Sequence, residues 1–126
     1  MEQAKPLGKY PYLKRAGDSI YLSGMSARLA DGSIPEGVRE QTRVVIEKIR
    51  AILQSEGADL SDCVAVTSYL VDMADFDLYN TVYGEYFNEQ GPTRTTVAVH
   101  QLPHPQMRVE LTVTAYQPDA HPPLQK

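Results

Sequence analysis

A chain of 126 residues, 42% of them hydrophobic, is long enough for one domain with its own core. Its formal charge is -4 and its 12 Lys and Arg are scattered, so no basic patch offers itself to nucleic acid. No apolar run approaches the ~20 residues of a membrane span, the start MEQAKPLGKY lacks the apolar centre of a signal peptide, and a single cysteine can form neither an internal disulfide nor a multi-thiolate zinc site, so a cytoplasmic protein away from membranes is expected.

In chain order, the first predicted elements are two short strands, one around Tyr12 to Arg15 and one over DSIYLSG (18–24), with a turn at Ala16 and Gly17 between them. ARLADGSIPEG is a loop. From Val38 to Glu56 the apolar residues Val38, Val45, Ile49, Ile52 and Leu53 recur at helical spacing and Gly57 supplies the stop, while Arg39, Arg43, Glu47 and Arg50 form a solvated face. Cys63 to Val71 is apolar on both faces and rich in valine, which predicts a central strand. Cys63 reads as a small buried hydrophobe rather than a reactive thiol. Asp75 is placed to cap a second helix, along which Phe76, Tyr79, Tyr83, Tyr86 and Phe87 make an aromatic stripe that core packing explains more simply than a ligand platform.

Two alternating runs close the chain. In the first, Thr95, Val97 and Val99 oppose Arg94, Thr96, Ala98 and His100; in the second, Val109, Leu111, Val113 and Ala115 oppose Arg108, Glu110, Thr112, Thr114 and Tyr116. The order β-β-α-β-α-β-β predicts an α+β fold, a two-layer sandwich with a mixed sheet and both helices on one face. Residues 1–117 are expected to form the single domain, and residues 118–126 a flexible tail. The helix-free face of such a sheet bears Val, Tyr and Thr among its charges and cannot all stay wet, which points to self-association and to clefts between subunits.

An arginine and a glutamate on strands of one small sheet suggest an anion clamp beside a base, a way to assemble a site for a small acidic substrate. Taken alone, Arg94 and Glu110 are more simply explained as a solvated or interface ion pair. Tyr10 equally suits a packing role beside Pro11. His100, His104 and His121 show no metal-ligand spacing, and no metal is expected.

The Tyr10 region followed by AGDSIYLSG, the helix ending IRAILQSEGADLSDCV, the run TSYLVDMADFDLYNTVYGEYF, and GPTRTTVAVHQLP with RVELTVTAY carry more than composition does. Along nearly the whole chain they resemble the Rid family of enamine and imine deaminases, also called the YjgF family. The resemblance implies a chorismate-mutase-like fold, a homotrimer with sites between subunits, and hydrolysis of an enamine or imine acid without cofactor or metal. It implies that Arg94, two positions after Pro92, binds the substrate carboxylate and that Glu110 positions or activates water. Tyr10, Gly24 and Phe87 match a tyrosine, a backbone-contributing glycine and an aromatic wall of the family cleft. Thr96 stands where the family often has cysteine, which removes any thiol role there and leaves a substrate-contacting hydroxyl. SGMSAR replaces the SGQIP of many members, and with GPTRTTVAVHQLPHP it is similar to the 2-aminomuconate deaminase branch. A muconate has a second carboxylate, for which Ser26, Arg28 and His100 are the candidate partners. A broad 2-iminopropanoate or 2-aminoacrylate deaminase, and a non-catalytic binder of 2-oxo acids, are the alternatives. A chorismate-mutase-like isomerase would rest on fold analogy alone.

Overall fold

The computed structural model describes residues 2–118. The expected tail, apart from Pro118, and with it His121, lies outside the described residues. The elements follow the expected order: β1 (Leu13–Ala16), β2 (Ser19–Leu22), α1 (Val38–Ser55), β3 (Cys63–Leu70), α2 (Phe76–Tyr86), β4 (Thr93–Ala98) and β5 (Val109–Tyr116). Single 3-10 turns, Leu60–Asp62 and Met73–Asp75, lead into β3 and α2. The strands form one sheet in the order β1-β2-β5-β3-β4, with β4 parallel to β3 and every other pair antiparallel. With two helices packed on it, this mixed sheet is the two-layer α+β sandwich expected. The parallel β3–β4 pair follows from α2, because a crossover helix is what returns the chain to the same end of the sheet.

Local causes account for the boundaries. Leaving α1, the chain turns at Gly57, whose φ of 77° is open to glycine at no steric cost. The apolar stripe of α1 buries Val45, Ile49, Ile52 and Leu53 against Ile20, Leu22, Val66, Leu70 and the inward side of β5, where Val109, Leu111, Val113 and Ala115 are fully buried. Cys63 belongs to this core, and burial pushes its thiol up to about 12, which makes it inert. Ser68, fully buried, is satisfied by the Tyr79 hydroxyl.

One expectation fails in detail. Asp75 precedes α2, but its side chain makes no cap; the carboxylate instead takes Nε and Nη2 of Arg108 at 2.9 and 2.6 Å. A bond to a guanidinium outcompetes one to a neutral amide. Capping moves upstream, to Asp72, which accepts from the Ala74 amide at 2.9 Å.

The two pairings of β3 determine which way each strand's side chains face, since laterally paired residues share a face. Val66 is paired with Arg94 and with Val113, and Val66 and Val113 are buried, so all three face the helices. Tyr69 is paired with Val97 and with Glu110, on the opposite face. That outer face carries Tyr21, Thr67, Tyr69, Thr95, Val97, Thr112, Thr114 and Tyr116, and its only charges among the strand residues are Glu110 and Lys14 at the β1 edge. Tyr21 and Tyr116 are 48% and 51% exposed on it.

Candidate active site in two halves

The outer-face half is a cleft of about 230 Å³ between the N-terminal segment, the loop after β2, α1 and the start of β5. Alternation along β5 turns Glu110 outward, and a two-way backbone bridge between Met25 and Leu111 (2.8 and 3.0 Å) lays the loop across it. Gly24 is thereby pressed on the Glu110 carboxyl. A Cβ at Gly24 would lie 3.0 Å from Cδ of Glu110 and nearer still to Oε2, so a side chain at position 24 would displace the acid. Glu110 has no ion-pair partner among the described residues, and burial raises its pKa above the ordinary carboxylate range.

Tyr10, Ser26 and Arg28 line the same cleft. The Tyr10 hydroxyl accepts from the Leu7 amide at 3.2 Å, and its ring covers Gly8. Ser26 Oγ accepts from the Arg28 amide at 3.3 Å, and Arg28 Nη2 donates to the Lys5 carbonyl. Lys48, which sequence reading passed over, is 5% exposed and donates through Nζ to the carbonyls of Ser26 and Arg28 at 2.8 and 2.7 Å. Burial and the charge of Arg28 push it down to about 8. Its position offered a signal: residue 48 lies three after Val45 and four before Ile52, beside the apolar stripe of α1.

Arg94 belongs to the other half, on the helix face of the edge strand β4. Its guanidinium carbon lies 4.7 Å from the Tyr83 ring centroid, 5.4 Å from Tyr79 and 5.7 Å from Phe76, and Nη1 donates to Asn80 Oδ1 at 2.7 Å. Phe87 stacks beside Tyr83 with centroids 4.8 Å apart. The aromatic stripe is thus both core and platform, and Asn80 joins it four residues after Phe76 and three before Tyr83, a spacing visible in the sequence but not used. Thr96 follows Arg94 on the same face, and its Oγ1, like the Tyr83 hydroxyl, is buried with no partner. Burial pushes the Tyr83 phenol up to about 12. Arg94 has no carboxylate partner among the described residues, so the rest of its planar fork can receive one.

Arg94 and Glu110, expected side by side, therefore point from opposite faces of the sheet in one chain. The reason is parity: Val66 and Tyr69, their neighbours on β3, are an odd number of residues apart. His100 lies two residues beyond β4, is exposed and does not line the cleft. Among the described residues no three His, Cys, Asp or Glu side chains cluster as metal ligands would, and no helix is long and apolar enough to cross a membrane.

The model of the family described as Endoribonuclease L-PSP matches residues 1–117. A RutC family protein of Pyrococcus abyssi is 42% identical over 114 residues, covering 89% of each chain. A 2-iminobutanoate/2-iminopropanoate deaminase of Dermatophagoides farinae is 31% identical over 110 residues, 85% of this chain and 84% of that one. In three dimensions, RidA from an Antarctic Psychrobacter species matches with a TM-score of 0.85 at 30% identity, over 90% of this chain and 93% of its own.

Proposed function

This chain belongs to the Endoribonuclease L-PSP family, some of whose members are named as Rid-type deaminases, and from that premise we propose that it hydrolyses an enamine or imine acid, with 2-aminomuconate the favoured substrate. Water replaces nitrogen, giving 4-oxalocrotonate and ammonia. The observation that carries the reading is Glu110, a half-buried acid without a counter-ion among the described residues, held in a small cleft against a residue that has no side chain.

The enamine tautomerises to the imine, water adds to the imine carbon, and the carbinolamine expels ammonia. Glu110, whose raised pKa suits proton exchange nearer neutrality, holds the attacking water and returns a proton to the leaving nitrogen, a service worth ~10²–10⁴-fold. Arg94 holds the C1 carboxylate by a bidentate pair, each charge-assisted bond contributing about 1.5–3 kcal/mol. Because the two groups face apart in one chain, the site is completed by a second copy, the β4 rim of one subunit closing over the Glu110 cleft of the next. The half-exposed Tyr21 and Tyr116 on the outer face support that packing, and a ring of three is the proposed closure.

Of the proposed partners for a second carboxylate, Arg28 and Ser26 line the cleft and His100 does not. A broad deaminase of 2-iminopropanoate is the alternative, and the family match and the named relatives support it no less. Cleavage of RNA, which the family description would allow, is disfavoured by a net charge of -4.

The test is ammonia release from freshly generated 2-aminomuconate and, in parallel, 2-iminopropanoate. Release from 2-aminomuconate that Glu110→Gln and Arg94→Ala both abolish is the expected result. Preference for 2-iminopropanoate makes the protein a general scavenger, and binding of 2-oxo acids without release makes it a binder.

A further inference from the structure

Lys48 is a buried cation for which the described residues supply no counter-charge. Its ammonium donates only to two backbone carbonyls, and no carboxylate lies in ion-pair range among the described residues. An ammonium has three donors, so one donor and the whole charge remain in the wall of the cleft. A neutral amide could hold the Ser26–Arg28 loop equally well without the cost of removing a charge from water, so the charge itself calls for a use. Arg28, on the same loop, is a second cation lining the same cleft, and it too bonds to a carbonyl rather than to an acid. The two repel, which contributes to pushing Lys48 down to about 8. An anion placed between them would relieve that repulsion and complete both hydrogen-bonding shells.

We propose that Lys48 and Arg28 form an anion subsite that takes the substrate carboxylate remote from the reacting carbon, so that Lys48 makes the cleft select dicarboxylic over monocarboxylic enamines and imines. For its substrate class this rests on the deaminase reading, but its test does not need turnover. A cleft of about 230 Å³ is below the roughly 300–1,000 Å³ of drug-sized sites and suits a small diacid.

The experiment is calorimetric titration of the intact protein with 2-oxoglutarate and with pyruvate, a diacid and a monoacid sharing the 2-oxo acid head, repeated with Lys48→Gln. The intact protein should bind the diacid about ten-fold more tightly or better, and Lys48→Gln should erase that preference while leaving pyruvate binding unchanged. On the intact protein alone, the preference should fall as pH rises through about 8, where Lys48 loses its proton. Absence of that step in Lys48→Gln separates Lys48 from Lys5, Tyr10, Tyr12, Arg28 and Glu110, the other charged or titratable groups lining the cleft. Equal binding of the two acids by the intact protein, no binding of either, or a preference that ignores both pH and the substitution overturns the subsite. Equal loss of both ligands in Lys48→Gln overturns it in favour of a loop strut. Diacid preference without ammonia release would sink the deaminase reading and leave the subsite standing; release without preference would do the reverse.

Discussion

Arg94 and Glu110 stand on the two strands that flank β3, yet their surroundings share almost nothing. Arg94 lies at the sheet's edge over three aromatic rings, oriented by Asn80 and open to a ligand. Glu110 lies under Gly24 on the far face, desolvated and without an ion-pair partner among the described residues. One group is made ready by packing and orientation, the other by removal of water. The contrast teaches that one small sheet can present an arginine and an acid in opposite settings, and on the proposed function bringing them together would be the task of assembly.

The most severe way to break this picture is subunit complementation. Arg94→Ala and Glu110→Gln should each lower kcat/KM by about 10²–10⁴-fold. Refolded together in equal amounts, the two dead proteins should regain activity at about a quarter of the sites, the random chance that one subunit brings the intact arginine and its neighbour the intact acid. A mixture as dead as its parents would sink the shared site.

Gly24→Ala sharpens the Glu110 half. The new methyl meets the end of a flexible side chain, so the fold should survive while the acid moves, and a displacement of about 1 Å can cost ~10²-fold in kcat. Shortening the acid in Gly24→Ala/Glu110→Asp should restore part of the rate; a Gly24→Ala protein with normal kcat would show that the close approach is incidental.

Smaller effects separate function from stability. The Glu110 pKa is raised in the folded state by burial, so the folded chain holds this proton more tightly than the unfolded chain does. Stability from that difference is full below the ordinary carboxylate range and is lost as pH rises through the folded value. Glu110→Gln, which mimics the protonated acid, should therefore melt a few degrees higher at neutral pH, with the gain vanishing in acid; a lower Tm at neutral pH would contradict the desolvation account. The smallest change expected is for Asp75→Asn, which loosens the Arg108 pair by about 1 kcal/mol in a denaturant titration and leaves 2-oxo acid binding intact.

Element order was legible because period carries it: two-residue alternation in β5 and the three-and-four spacing of α1 each correspond to one buried face. The relation between β4 and β5 was not. Alternation says that Arg94 and Thr95 face apart, but whether Arg94 faces with Glu110 depends on two registers, one parallel and one antiparallel, each shared with β3. Asp75 was a sound cap by type and position, and was lost to Arg108, a partner 33 residues away that no local pattern reveals. Lys48 was hidden for a different reason: a lysine bordering an apolar stripe ordinarily lays its stem on the core and its charge in water, whereas here two loop carbonyls hold the charge in the wall of a cleft. Patterning alone offered Arg94 and Glu110 as an anion clamp beside a base but favoured a plain ion pair for them, and only the resemblance to a family reversed that weighting.

The rings under Arg94 have an optical consequence. The chain contains eight tyrosines and no tryptophan, so its near-ultraviolet emission is tyrosine emission alone. Two of the emitters, Tyr79 and Tyr83, lie within 5.4 Å of a guanidinium whose field would change if an acid docked on it. With Tyr10 and Tyr12 replaced by phenylalanine to quiet the cleft, an acid-induced change in the remaining emission that Arg94→Ala removes would report docking at that guanidinium, with no label attached.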